Sequence, residues 1–154
     1  MSWFSSKRPR TVGSGRRILV AFSEGQLDRV VLDAALRIAR AEDATLVPAY
    51  LIVVPLSHPI DSPMHEEVGL ALPILEAVED EAGRAGIAVD ARMERGRSLR
   101  DALTRLWSVE EFDRVILPAS TTGSHGFGER DLAWALTHAP TETLVLRPSP
   151  KVAP

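Results

Sequence analysis

The chain has 154 residues, of which 45% are hydrophobic and 25% charged, with a formal net charge of −3 at pH 7. One ordinary globular domain fits that length and composition, which exclude a catalytic domain with a separate partner domain, a wholly disordered chain and a fibrous one. The absence of cysteine excludes a disulfide framework and thiolate chemistry, no run of about 18 apolar residues offers a membrane span, and a reducing, cytoplasmic setting is the expectation.

The N-terminus, MSWFSSKRPRTVGSGRR, is basic but lacks an apolar stretch of signal-peptide length, so no secretory signal is expected. Lys7, Arg8, Arg10, Arg16 and Arg17 give residues 1–17 a charge of +5, leaving −8 for the rest of the chain. Trp3 and Phe4 would assist docking on nucleic acid or anionic lipid, but a solvated tail over residues 1–15 is the favoured reading.

RRILVAF, residues 16–22, is a continuous apolar run closed by a turn and predicts a buried strand. The following segment places Leu27, Val30, Val31, Ala34, Ala35 and Ile38 at helical steps. TLVPAYLIVV, residues 45–54, predicts a second strand whose start Pro48 should make irregular. After a proline-rich loop comes a helix over 66–85, with Val68, Leu72, Leu75, Ala77 and Val78 on its apolar side. IAVDARME, residues 87–94, alternates and predicts a half-exposed third strand, and Ser98 can cap a helix carrying Leu99, Ala102, Leu103, Leu106 and Trp107. RVILPA, residues 114–119, predicts a buried fourth strand, followed by a glycine-rich loop, a helix through DLAWALTH and a final strand in TETLVLRP. Five strands alternating with four helices predict a parallel sheet with helices on both faces. Such sheets bind ligands beyond the carboxyl ends of the strands where the strand order reverses. If strands one and four are neighbours at that reversal, the SEGQ turn and the glycine loop form the two lips of one crevice.

The loop, ASTTGSHGFGER, holds Gly123, Gly126 and Gly128 where a phosphate cradle would stand, yet Glu129 and Asp131 follow at once. An acid in a helix's first turn is stabilised by roughly 0.3 to 1 kcal/mol and takes the place of an anion. Both acids are expected to cap the helix and so disfavour a triphosphate. Ala119, Ser120, Gly123, Ser124, His125, Gly126 and Arg130 are the candidate residues of this lip and Ser23 of the other, with Leu51, Ala21 and Phe22 available to line a base pocket. His58, Asp61, His65, Glu66 and Glu67 match no zinc spacing, so no metal site is assigned. Ser124, His125 and Asp131 are too close in sequence to face one another as a triad, so no catalytic residue is assigned and an enzyme is not the favoured reading. Trp107 and Trp134 fall at apolar steps and read as core.

The segments RRILVAFSEG, RGRSLRDAL, DRVIL and HAPTETLVLRP together resemble the universal stress proteins (UspA-like) over about residues 16–148, leaving 149–154 as a C-terminal tail. The resemblance implies a five-stranded parallel sheet of order 3-2-1-4-5 in flavodoxin-like or adenine-nucleotide-hydrolase-like layering. It also implies homodimerisation through the last strand, with Leu144, Val145 and Leu146 at the interface. ATP-binding members carry an aspartate after the first strand, where this chain has Ser23, and a Gly-x2-Gly-x9-Gly-Ser/Thr loop after the fourth. Gly123 and Gly126 match its opening, but Leu136 and Thr137 stand where its close should be; aligned by length, Pro118, Thr121 and Glu129 take the glycine places. The motif is degenerate in either register. The expectation is a regulatory or ligand-sensing protein that acts on an unknown partner protein and is not a tight ATP binder. The alternatives are an ATP or AMP switch and a docking module working through the basic tail.

Overall fold

Six successive buried residues form β1 (Arg17–Phe22), the central strand of the sheet. The computed structural model describes residues 15–120 and 126–148. After β1 come α1 (Arg29–Ala41), β2 (Thr45–Val53), α2 (His65–Arg84), β3 (Arg92–Gly96), α3 (Leu99–Val109), β4 (Arg114–Pro118), α4 (Glu129–His138) and β5 (Thr143–Leu146). All four strand pairings are parallel, and the order is β3-β2-β1-β4-β5. This is the expected α/β fold.

The two-residue period of the strands divides the core. Ile18, Val20, Leu46 and Ile116 pack against α1 and the end of α2, while Phe22, Tyr50, Ile52 and Met93 meet Ala71 and Leu75 of α2. On the opposite face Leu19, Ala21, Val47, Leu51 and Leu117 meet α3 and α4. Asp28 caps α1 by accepting from the amides of Val30 (2.8 Å) and Val31 (3.3 Å). Ser98 caps α3, as its position predicts, by accepting from the amide of Asp101 at 3.1 Å.

Several expectations need correction. The buried stripe of α1 is Val31, Leu32, Ala35, Leu36 and Ala39, and Val30 is 47% exposed. Turning Leu32 and Leu36 inward removes more apolar surface from water than Val30 and Ala34 would, so the helix rotates that way. In α2, Ala77 is exposed and Ala71 and Ala82 are buried in its place. The third strand is Arg92–Gly96; residues 87–91 precede it and bridge β2 at Leu46 and Val89. Pro48 lies inside a regular, buried stretch of β2. Leu46 bonds residues 88 and 90 through its own N–H and carbonyl, so Pro48, two residues on, directs its missing donor to the same side. The irregularity therefore appears in the approach to β3 and not in β2. The last strand is likewise shorter than TETLVLRP.

Two of the residues counted with the basic tail belong to the body. Arg17 is 4% exposed and pairs with Asp90 (2.6 Å) and Glu110, and Arg92, fully buried, pairs with the same two carboxylates. Arg16 pairs with Glu42 at 2.5 Å. Residues 1–14 of the expected solvated N-terminal tail lie outside the described residues.

Glu94 of β3 is half-buried beneath α3. Burial pushes its carboxyl up from the ordinary 4.5 to about 7, against the pull of Arg105. A raised folded-state value means that the native chain keeps a proton the unfolded chain releases, so this stabilisation is complete below about pH 4.5 and is lost as pH rises through about 7. Urea unfolding of the wild type should show stability falling across that window, and Glu94→Gln should flatten the fall; an unchanged slope would refute the assignment.

Candidate functional site

The strand order reverses between β1 and β4, so the connections leaving their carboxyl ends diverge and leave a crevice between them. On the β4 side the chain folds back on itself. Ala119 bridges Phe127, the Phe127 amide donates to the Pro118 carbonyl, and the Ser120 amide donates to the Phe127 carbonyl, both at 2.8 Å. Phe127 is 1% exposed and packs with Leu117 and Ala135. Sequence reasoning passed over Phe127; its signal was a large apolar residue between two glycines. Gly126 holds φ at +146°, and a Cβ there would stand 2.8 Å from the Pro118 carbonyl oxygen and 2.9 Å from the Ser120 amide nitrogen. Only glycine fits that approach. Gly123, Ser124 and His125 lie outside the described residues.

The acids after the loop do not act as expected. Gly128 is the N-cap of α4, and no side chain among the described residues bonds the cap. Asp131 accepts from Arg100 Nε of α3 at 2.7 Å, and Glu129 is exposed beside an exposed Arg130. The correction has a physical reason: a guanidinium on the neighbouring helix is a stronger partner for Asp131 than amides within its own turn. Arg100 also sits 5.7 Å over the ring of Trp134, which stacks on Trp107 at 5.8 Å and on His138 at 5.2 Å. Both tryptophans are half-buried against the core on that face, in keeping with their reading as core residues.

On the β1 side, Ser23 is 6% exposed and opens a tight turn closed by the Gln26 amide on the Ser23 carbonyl at 3.3 Å. Tyr50 from β2 reaches this turn with its hydroxyl. Leu51, Ala21 and Phe22 do not line a shared base pocket. Each is at most 2% exposed, and Phe22 points to the opposite face of the sheet from Ala21 and Leu51 because successive side chains alternate. Arg97, a further residue that sequence reading missed, holds the proline-rich loop by donating to the carbonyls of Pro55 (2.7 Å) and His58 (2.8 Å). In that loop His58 Nδ1 is 3.0 Å from Ser57 Oγ, and Glu67 is taken up by Tyr50. Among the described residues no group of three or more His, Asp or Glu side chains is placed to hold a metal. Of the triad residues weighed, the described one, Asp131, is engaged by Arg100.

The architecture defines a doubly wound α/β domain whose strand order reverses between β1 and β4. Among solved structures this is the universal stress protein fold. UspA from Lactobacillus plantarum superposes with a TM-score of 0.67 at 18% identity, covering 86% of this chain and 97% of that one. A universal stress protein in complex with cAMP gives 0.60 at 22% identity, covering 87% and 98%. A universal stress protein family protein from Arabidopsis thaliana with AMP bound gives 0.62 at 14% identity, covering 87% and 92%. No protein-family model matches the sequence, and no curated protein sequence is similar to it.

Gly126→Ala should lower the unfolding free energy by about 1 to 3 kcal/mol, because a Cβ meets backbone atoms and not a flexible side chain. Chemical denaturation measures this, and an unchanged midpoint would show that the β4 lip is not held by the close approach.

Proposed function

We propose that the chain is a ligand-sensing protein of universal stress protein type, whose ligand is an adenine nucleotide of low charge, of the AMP or cAMP class, and not a tightly held ATP. The observation that carries the reading is the N-terminus of α4 beside the carboxyl end of β4, which no side chain among the described residues caps. Amides of a first helical turn favour an anion through their hydrogen bonds and the helix dipole. Asp131 is withdrawn to Arg100, while Glu129 keeps its negative charge in the first turn. One phosphate group meets both conditions better than three. The AMP and cAMP complexes of two proteins of this fold support the same ligand class. A sensing role, a cytoplasmic setting and a regulatory partner protein belong to the reading.

The reading includes a homodimer formed through β5. That strand is a sheet edge, Val145 is 38% exposed, and Leu144 and Leu146 are only partly covered by the core. An uncovered apolar edge invites pairing. Sedimentation at micromolar concentration should give a dimer, and Val145→Lys should give a monomer; a monomeric wild type would refute the interface.

Isothermal calorimetry with AMP, cAMP and ATP with magnesium tests the ligand class. AMP or cAMP should bind more tightly than ATP, and Glu129→Gly should tighten ATP about twofold to fivefold, the equivalent of removing a first-turn charge. Tight ATP binding by the wild type would sink the reading.

A further inference from the structure

The β1–α1 turn, residues 23–26, is built in an uncommon conformation. Glu24 has φ at +58° and Gly25 at +69°, so both central residues are left-handed. Glycine adopts that geometry freely, but for glutamate it is unfavourable and persists only where the surroundings impose it. Contacts from β2 and α2 support it here. The Gly25 amide donates to Tyr50 Oη at 3.0 Å, the Tyr50 hydroxyl donates to Glu67 Oε2 at 2.6 Å, and the Leu70 side chain packs 3.5 Å from where a Gly25 Cβ would stand.

Tyr50 is fully buried, with its ring edge-on to Phe22 at 5.3 Å. Burial and the Glu67 carboxylate both push its hydroxyl's pKa up, so it stays protonated and can donate to Glu67 while accepting from Gly25. A β2 side chain, aimed by a carboxylate on α2, thus reaches under the central strand's exit and grips the turn from below. The turn is one of the two segments at the β1/β4 reversal.

We propose that Tyr50 and Glu67 are positioning residues that hold the β1 lip of the crevice in its left-handed form and so set its affinity for nucleotide. The second half of this rests on the nucleotide reading above; the first half does not. In the full-length protein, Tyr50→Phe keeps the ring and removes the grip. Hydrogen exchange at the Gly25 amide should then speed up at least tenfold, and AMP affinity by calorimetry should fall about tenfold, the scale of one lost hydrogen bond. Glu67→Ala, a change on a partly exposed helix position, should shift both quantities in the same direction, whereas Glu67→Gln retains an acceptor and should stay near wild type. Adding Glu24→Gly to Tyr50→Phe should restore AMP affinity in part, because glycine enters the left-handed turn without the strain that glutamate carries; a merely structural role for the ring would not be rescued in this way.

Unchanged Gly25 exchange in both Tyr50→Phe and Glu67→Ala would overturn the grip. Faster exchange with unchanged AMP affinity would overturn the positioning role. A wild type that binds none of AMP, cAMP and ATP, while Tyr50→Phe still speeds exchange, would overturn the nucleotide reading and uphold the grip.

Discussion

Everything in this fold is arranged around a strand that has no free side. All six residues of β1 are buried, and it is paired along one edge with β2 and along the other with β4. Its backbone polar groups are satisfied only if both neighbours are present, and parallel pairing forces each connection to cross back over a face of the sheet. The chain must therefore leave β1 in one direction and β4 in another, and the crevice is the geometric remainder. At the opposite end of the strands the same burial draws in charge. Arg17 and Arg92 are sealed between Asp90 and Glu110, and taking away either acid would leave a buried cation uncompensated, at a cost of about 3 to 5 kcal/mol.

Features decided by period and by local chemistry were legible in the sequence. The order of elements, the parallel sheet and the Ser98 cap followed from apolar spacing and a hydroxyl at the right step. What escaped depended on partners distant in the chain. No window around Asp131 contains Arg100, thirty-one residues earlier, so the acid read as a cap. Tyr50 read as one more apolar strand residue because its hydroxyl's partners, Gly25 and Glu67, lie on the β1–α1 turn and on α2. Pro48 read as an irregularity within β2, yet that strand is regular, because the donor that proline lacks lies on the side that faces the approach to β3.

The two lips of the crevice are held by different means. The β4 lip is held by backbone bonds, through Phe127 folding back onto Pro118 and Ser120 across a glycine, with the Phe127 ring anchored in the core. The β1 lip depends on side chains from β2 and α2. Backbone contacts of this kind tolerate many sequences provided the glycine stays. Side-chain contacts do not, which places the adaptable part of the site on the β1 side. Arg97 extends that dependence by tethering the β2–α2 loop from the end of β3.

The stacked rings on α3 and α4 have an optical consequence. Two indoles held 13° from parallel at 5.8 Å couple their electronic transitions, and one of them lies under the guanidinium that restrains Asp131 in the first turn of α4. A small shift of α4 against α3 alters that coupling before it alters any secondary structure. The molecule thus carries a native reporter of how α4 packs against α3, readable by circular dichroism without a label.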